Sequence, residues 1–204
     1  MVVDDSDKAT GAANQQERLD AYIAGFVDGE GSFHVAIQRN PSTKLGWQLV
    51  PEFRVNQDVS RKEVLDLIHH RLACGSIREN HRGSHDRTFV LVVRRRQDLL
   101  SKVIPFFERN PLLSCKNEEF TTFADVVRRM EIGEHLSEVG FDRLASLAVR
   151  MNGGGRYRRI HRSSSPESSE TICQALSVKI DGEDMVRPAW RHAEPGRNVL
   201  APGA

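Results

Sequence analysis

The chain has 204 residues, of which 39% are hydrophobic and 28% charged, so it can bury the core of one medium domain or two small ones. Lys and Arg number 29 against 28 Asp and Glu, and the resulting net charge of +1 does not by itself favour a polyanionic partner. Purely apolar runs such as Phe89–Val93 fall far short of the roughly 20 residues that a membrane span needs.

The cysteines Cys74, Cys115 and Cys173 lie far apart and form no CxxC pair. This spacing argues against a zinc site and against a disulfide framework. No apolar stretch follows the N-terminus, so a secretory signal is not expected. We therefore expect a protein without a membrane partner that is not secreted, located in the bacterial cytoplasm or in an organelle.

The charge is unevenly distributed along the chain. Residues 1–20 have a balance of −3 and residues 163–204 a balance of −2, whereas residues 21–162 carry 23 basic and 17 acidic side chains, a balance of +6. Both ends are poor in large apolar residues, and the tail opens with a Ser-rich run that is typical of unfolded chains. We expect disordered segments over 1–14 and 163–204 and one folded domain over 15–162.

The predicted elements begin with a helix over Gln15–Val27, where apolar residues recur at helical spacing before glycines end it. Apolar residues then alternate with polar or small ones over Phe33–Ile37, which is the period of a half-buried strand. A turn at Asn40–Gly46 leads into a second strand over Trp47–Gln57. Within this strand Pro51 indicates a bulge or an edge position.

The second half of the domain repeats the order helix, strand, strand. Ser60 and Glu63 form the pattern of a capping box, which opens a helix that ends before Gly75. Strands are expected on both sides of the polar turn 81–86, at Ser76–Asn80 and Arg87–Arg95, and helices over Gln97–Glu108, Ser114–Ile132 and Ser137–Met151. The order αββαββα predicts an α+β domain with an antiparallel sheet that has helices on one face.

Small residues recur every four positions in the first predicted helix, at Ala21, Gly25 and Gly29. They form a stripe without side-chain bulk, which lets another helix approach closely. Glycine inside a helix costs about 1 kcal/mol relative to alanine, so a compensating helix contact is expected.

Two acidic residues, Asp28 and Glu30, lie at the C-terminal end of the same helix, where the helix dipole disfavours them. A divalent cation would remove this penalty, since carboxylate oxygens are natural Mg²⁺ ligands. If two copies pair through the small-residue stripe, four carboxylates converge into a site for metal-assisted phosphodiester cleavage. The alternative is a plain polar turn over Asp28–Gly31. An EF-hand is excluded by the spacing of the oxygen ligands.

The segment Ile23–Gly31 resembles the motif of the LAGLIDADG homing endonucleases in their single-motif form, and the predicted element order over residues 15–132 is similar to that family's fold. The resemblance implies a homodimer in which the motif helices meet at the two-fold axis and two saddle-shaped sheets lie on double-stranded DNA. It further implies an intron-encoded enzyme that cuts both strands of a long pseudo-palindromic site with Mg²⁺ or Mn²⁺.

The resemblance also assigns site residues. Glu30 occupies the position of the family's essential metal-binding acid, with Asp28 and Gly29 as further metal-site candidates and Gly31 nearby. Gln57 aligns with a polar residue that holds metal-bound water. Two basic residues, Arg61 and Lys116, align with those that polarise the solvent around the scissile phosphates. From the residues alone, Gln57 reads equally as a hydrogen-bonding residue at a strand end and Arg61 as a solvent-exposed helix residue.

The expected DNA-binding face consists of outward side chains of three strands. Arg matches the guanine edge, Gln or Asn the adenine edge and small apolar groups the thymine methyl, and a two-stranded ribbon fits the major groove. A solvated polar face is the alternative, but the enrichment in Arg and amides, with few exposed acids among these positions, favours DNA. The candidates are Ser32, His34, Ala36, Gln38, Asn40, Gln48, Arg54, Arg78, Asn80 and Arg82.

Three basic clusters are candidate phosphate contacts as a group: Arg94–Arg96, Arg128–Arg129 and Arg156–Arg159. Two other functions stay open. The chain could be a maturase that binds intron RNA, as some members of the family do, or a regulatory DNA-binding protein that has lost catalysis. The set Glu30, Gln57 and Arg61 favours the endonuclease.

Overall fold

The computed structural model describes residues 5–80 and 87–151. Within them a four-stranded antiparallel sheet has the strand order β1-β2-β4-β3. The strands are β1 (Gly31–Arg39), β2 (Trp47–Asp58), β3 (Ser76–Glu79) and β4 (Thr88–Val93). The predicted α+β class with an antiparallel sheet is confirmed.

The helices also follow the predicted order. They are α1 (Asp5–Glu30), a 3₁₀ turn (Val59–Arg61), α2 (Lys62–Leu72), α3 (Arg96–Asp98), a π-helical turn (Leu99–Val103), α4 (Ile104–Arg109), α5 (Lys116–Glu131), a second 3₁₀ turn (Glu134–Leu136) and α6 (Glu138–Met151). None of the helices in 5–80 or 87–151 has the length and apolar character needed to cross a membrane.

The first helix is longer than predicted at both ends. It begins at Asp5, so residues 5–14 are helical where disorder was expected, and it continues past Val27 to Glu30. The alanines Ala9, Ala12 and Ala13 favour the N-terminal extension, because adding a residue to an existing helix avoids the cost of nucleation. The expected disordered tail, 163–204, lies outside the described residues.

The start of the second helix differs from the capping box expected at Ser60 and Glu63. Asp58 is the capping residue instead: its carboxylate accepts from the Ser60 N–H at 2.8 Å and from the Ser60 hydroxyl at 2.6 Å. A 3₁₀ turn therefore separates β2 from α2, and no side chain caps α2 at Arg61. Asp58 is the cap because it lies at the end of β2, where its carboxylate can accept from the first free N–H groups of the turn.

The helix predicted over Gln97–Glu108 contains a π-helical turn, Leu99–Val103, and Pro105 is the second residue of α4, which follows this turn. Proline has no N–H and its ring crowds the carbonyl four residues earlier. The wider π turn accommodates this without ending the helix. Pro51 is similarly tolerated in β2, because pairing with β4 begins only at Phe53 and the β1–β2 register shows no bulge.

Aromatic rings fill the core between the sheet and the helices. The Phe33 ring on β1 lies 5.2 Å from the Phe53 ring on β2 and 5.4 Å from the edge-on ring of Phe107 on α4. The rings of Phe120 and Phe123 on α5 lie 5.2 Å and 5.4 Å from Phe33. All five are buried, so these core side chains of β1 and β2 point to the helical layer.

A charged pair ties α1 to α2. Arg71 donates from Nε and Nη2 to the two carboxylate oxygens of Asp20, at 2.6 Å and 2.7 Å, and both side chains are largely buried. The Arg71 guanidinium also lies 5.4 Å from the centre of the Phe106 ring. This bidentate pair fixes the position of α1, and therefore of the motif at its end, relative to the sheet.

Arg71→Met should lower the free energy of unfolding by about 1–3 kcal/mol, because it keeps the apolar stem but leaves the Asp20 carboxylate without this partner. Urea unfolding followed by circular dichroism measures the change. Lys62→Met is the matched control, since Lys62 forms a solvent-exposed pair with Asp66 at 2.8 Å, and it should change stability by about 0.5 kcal/mol or less. Equal losses in the two variants would contradict the assigned role of Arg71.

Candidate active site at the end of the first helix

The last turn of α1 carries the two acids of the motif. Asp28 is half-buried, whereas Gly29 and Glu30 are exposed, and the chain passes from Glu30 directly into β1. These residues are therefore helical, and the alternative of a separate polar turn between helix and strand does not describe them. Glu30 presents its carboxylate to solvent at the junction of helix and sheet.

Gly31 makes the direct passage from helix to strand possible. It is buried, and a Cβ atom at this position would lie 2.5 Å from Val27 Cγ1 and 2.7 Å from the Val27 carbonyl oxygen. Only glycine fits this close approach, because either contact is shorter than side chains tolerate. The position of Glu30 is thus fixed by the packing of its C-terminal neighbour.

Asp28 binds the loop before α5. Its Oδ2 accepts from the backbone N–H groups of Leu113, at 3.1 Å, and Ser114, at 3.0 Å, and its Oδ1 accepts from the Ser114 hydroxyl. The Ser114 hydroxyl bond is the main cause that lowers the pKa of Asp28 below its ordinary value, and the two backbone N–H groups and Lys116 act in the same direction against the effect of burial. Both oxygens predicted for a metal are therefore engaged within the chain.

Lys116 also reaches the end of α1. Its Nζ donates to the Val27 carbonyl oxygen at 3.1 Å, and its backbone N–H donates to the Ser114 hydroxyl oxygen at 3.1 Å. An ammonium group at the C-terminal end of a helix is favoured by the helix dipole. Lys116, which the resemblance assigns to the site, thus contacts Val27, and Val27 lies three positions before Glu30 on the motif helix.

Gln57 and Arg61 lie at the same end of the sheet. In the β1–β2 register Gly31 faces Val55, so Gln57 is two residues beyond the start of β1. The Gln57 Oε1 accepts from the Asp58 N–H at 2.9 Å, as the strand-end alternative predicts, and Arg61 is exposed at the end of the 3₁₀ turn. Their proximity to the motif follows from the register, while their catalytic roles stay predictions.

The small-residue stripe faces away from the core. Ala21, Gly25 and Gly29 are exposed, and a Cβ atom at Gly25 or Gly29 would have no heavy atom within 4 Å. On the same side Tyr22 remains 48% exposed. Packing within the described part of the chain therefore requires neither glycine. The stripe forms an open face directly beside the C-terminal end of the helix.

No group of three or more His, Cys, Asp or Glu side chains in residues 5–80 and 87–151 is arranged to hold a metal ion. Of the cysteines, Cys74 is buried and Cys115 exposed, both as free thiols, and Cys173 lies outside the described residues. At the end of α1 the carboxylate of Glu30 is exposed, whereas that of Asp28 is bonded to the loop before α5, and a metal-binding role of Glu30 stays a prediction.

The expected DNA-binding residues lie on the sheet face opposite the core. Ser32, Gln38 and Arg78 are exposed, Ala36 is buried, and Arg82 lies outside the described residues. The remaining members are half-buried: His34, Asn40, Gln48, Arg54 and Asn80. The structure therefore brings nine of the ten candidates, all those it describes, to one face or its edge, and their contacts with DNA stay a prediction.

At the far end of the β1–β2 ribbon the amide side chains form a chain. Asn40 Nδ2 donates to Gln48 Oε1 at 2.8 Å, and Gln48 Nε2 donates to Gln38 Oε1 at 3.4 Å. The side-chain oxygen of Asn40 accepts from the backbone N–H and the hydroxyl of Ser42. The turn between the strands therefore fixes one end of this row of amides. Amides held in this way present defined donor and acceptor edges.

One residue on this face was missed: Glu52, which is buried on β2 between the outward positions Val50 and Arg54. Its carboxylate forms ion pairs with Arg54, at 3.1 Å, and with Arg94. The expectation of few acids held for exposed positions but overlooked this one. The period of two in β2 places residue 52 on the same face as residue 54, so the alternation could have identified it.

Several arginines of the described basic clusters form ion pairs within the chain. Arg94 pairs with Glu52, Arg96 with Glu131 at 3.0 Å, Arg128 with Glu108 at 2.6 Å and Arg129 with Asp125 at 2.9 Å. The last two pairs lie on the helices α4 and α5, and Arg156–Arg159 lies outside the described residues. Arg128 and Arg129 thus pair with acids of the helical layer, and the contacts of the group with phosphates stay a prediction.

A family model described as LAGLIDADG endonuclease matches residues 23–127, from the motif helix through most of α5. The match covers half of the chain, and the fold and the motif agree with it. The chain belongs to the LAGLIDADG homing endonuclease family.

Relatives of this chain are DNA endonucleases. DNA endonuclease I-CeuI of Chlamydomonas moewusii is 32% identical over 111 residues, which are 54% of this chain and 50% of that protein, so the chain spans about half the length of this relative. The solved homing endonuclease I-TnaI is 39% identical, with a TM-score of 0.61 over 65% of this chain and 87% of that one. The archaeal intron-encoded homing endonuclease I-Vdi141I, solved with DNA, is 30% identical, with a TM-score of 0.64 over 72% and 91%.

Asp28→Asn should destabilise the protein at neutral pH and much less in acid. The lowered pKa of Asp28 means that its charge stabilises the fold above the ordinary carboxyl pKa of 3.8 and that this contribution is lost as the pH falls through the folded value. The difference in unfolding free energy between wild type and variant, measured by urea unfolding from pH 7 to pH 3, should therefore shrink below about pH 4.

The matched control is Asp66→Asn, which removes an exposed carboxylate that pairs with Lys62 on α2. Its effect should be small throughout the same pH range. A difference for Asp28→Asn that stays constant from pH 7 to pH 3 would contradict the structural role of the charge.

Proposed function

We propose that the protein is a Mg²⁺-dependent, site-specific endonuclease that cuts both strands of DNA as a homodimer. The observation that carries this proposal is the state of the α1 terminus: Glu30 is an exposed acid on a rigidly held helix end, directly beside an exposed stripe of small residues. One copy provides a single such acid, and pairing through the stripe would bring two of them to the scissile phosphates.

The residues present fit a divalent metal. The carboxylate of Glu30 and backbone carbonyl oxygens around Gly29 are hard oxygen ligands of the kind that Mg²⁺ and Mn²⁺ accept. Asp28 contributes by holding the helix end, since its oxygens are engaged by Leu113 and Ser114. When bound, the metal would neutralise phosphate charge and make a coordinated water more acidic.

The chain's own groups complete the proposed site. Glu30 holds the metal, Gln57 orients a water by its amide, and Arg61 and Lys116 supply positive charge toward the phosphate oxygens. Lys116 is positioned for this by the hydrogen bonds that tie it to Val27 and Ser114. Lys and Arg at a phosphate act as electrostatic stabilisers and need no change in protonation.

DNA would lie on the outer face of the sheet. The β1–β2 ribbon is of the size that enters a major groove, and its outward Arg, Gln and Asn side chains match base edges. A two-fold symmetric dimer would read a long site whose halves are roughly palindromic. The endonuclease relatives support this use, including the intron-encoded I-Vdi141I, whose structure contains DNA.

Glu30→Gln should reduce cleavage in Mg²⁺ by at least about 1000-fold, because an amide cannot replace the charge that holds the metal. The measurement is cleavage of a duplex recovered by selection from a randomised library, with binding followed in parallel by fluorescence anisotropy. Binding should stay within about threefold of wild type, since the sheet face is untouched.

Glu63→Gln, which removes an exposed acid at the start of α2, is the control and should cut as wild type does. Equal cleavage by wild type and Glu30→Gln would refute the assigned mechanism. Binding to structured intron RNA without cleavage of any DNA would instead support the maturase function.

Gly25→Leu should separate dimer formation from folding. The monomer has open space at Gly25, so leucine there should leave the unfolding free energy of the monomer, measured at concentrations below dimer formation, unchanged or raise it slightly through better helix propensity. In a paired helix interface the same side chain would keep the backbones apart. Sedimentation should therefore show a dimer for wild type and a monomer for the variant, together with loss of double-strand cleavage.

Ser146→Leu is the control on an exposed face of α6, and it should leave the association state unchanged. A wild type that sediments as a monomer at micromolar concentration, with or without DNA, would refute the homodimer.

A further inference from the structure

The outer face of the sheet contains a buried acid among residues that are otherwise basic, amide or apolar. The Glu52 side chain is only 7% exposed and bridges two arginines: its Oε1 lies 3.1 Å from Arg54 Nε, and its Oε2 pairs with Arg94. In the strand register Glu52 faces His34 on β1, and Arg94 directly follows the end of β4. The acid therefore lies in the middle of the proposed DNA-binding face.

Stability of the fold does not explain this arrangement. A buried ion pair gains little over an apolar residue of similar size, because the charges must first lose their hydration. The same outer face contains Val50 on β2 and the buried Val90 and Val92 on β4, so an apolar side chain at position 52 would have suitable neighbours. The acid is better explained by what it does to its two partners.

Arg54 contacts two residues. Its Nε lies 3.1 Å from Glu52 Oε1 in an ion pair without hydrogen-bond geometry, and its Nη2 donates to the side-chain oxygen of Asn80, directly after β3, at 3.3 Å. A guanidinium has five N–H groups, so these two contacts leave both N–H groups of Nη1 and one of Nη2 for a ligand. The side chain remains 33% exposed. These contacts restrict the orientation of the guanidinium before any partner binds, which lowers the entropy cost of binding.

Two parallel N–H groups in a fixed plane match the O6 and N7 acceptors of guanine in the major groove. Arg54 faces Ser32 in the register, one pair away from Gly31 and Val55 at the motif end of the ribbon. By contrast, Gln38 and Gln48 face each other six positions further along, about 20 Å away at roughly 3.4 Å per residue. A base read by Arg54 would therefore lie in the inner part of each half-site.

We infer that Glu52 is a positioning residue that holds the guanidinium of Arg54 for recognition of a guanine in the inner part of each DNA half-site. This inference rests on the proposed DNA-binding function and adds a specificity-determining pair to it. Glu52 makes no contact with the base itself, since its oxygens face the two arginines. It also offsets one of their positive charges, which keeps the inner face from binding phosphates indiscriminately.

The test is a binding selection from randomised duplexes without divalent metal, so that it does not depend on cleavage. Wild type should recover sites with a guanine at an inner position of both halves. Glu52→Gln keeps the size of the side chain but not its charge, and it should lower the preference for that guanine by about tenfold or more. Preferences at the outer positions, near Gln38 and Gln48, should stay as in wild type.

Two further variants separate positioning from folding. Arg54→Lys keeps the charge but not the planar fork, and it should lose the same guanine preference. In that background Glu52→Gln should cause no further change at this base pair, because its effect passes through Arg54. Glu108→Gln breaks a similar Glu–Arg pair on the helical layer, with Arg128, and should leave every position unchanged.

An unchanged guanine preference in Glu52→Gln, or an equal loss of preference at all positions, would overturn the inference. So would a further change at the inner base when Glu52→Gln is combined with Arg54→Lys. If wild type recovers sites without an inner guanine, the inference fails while the DNA-binding function stands. If wild type recovers no preferred site, the proposed function itself fails.

Discussion

The arrangement of this protein depends on how the end of the first helix is held. Gly31 packs directly against Val27, Asp28 accepts three hydrogen bonds from the loop at Leu113 and Ser114, and Lys116 caps the Val27 carbonyl. The contacts of Asp28 and Lys116 join residues that are more than eighty positions apart in the chain. They hold the last turn of α1 in place. Because β1 begins directly after this turn, its position is fixed as well.

The residues of α1 that stay exposed are as informative as those that are buried. The core side chains of α1 face the sheet, whereas Glu30 and the stripe of Ala21, Gly25 and Gly29 face solvent. A helix that keeps glycines with open space around them gives up stability within the monomer. Packing against the same helix of a second copy would recover this stability and would bring a second acid to the site. The stripe would therefore serve both the stability of the protein and the proposed cleavage.

Local patterns were sufficient to predict the strands, because their alternation depends on one buried face, and to predict the motif, because its residue types are unusual together. Contacts between distant segments were not predictable. Asp28 reads as a metal ligand in sequence, and only the placement of Ser114 shows that its oxygens are engaged. Glu52 could have been assigned to the outer face by its period, but its two arginine partners depend on the strand register.

The central claim is that two anchored helix ends, each with one Glu30, act together on DNA. The most direct measurement is cleavage of a randomised duplex library in Mg²⁺, with both ends of every product sequenced. We expect cuts on both strands at a long site that is related to itself by a two-fold axis between the cuts. Cleavage of one strand only, a site without two-fold symmetry, or no cleavage in Mg²⁺ or Mn²⁺ would contradict it.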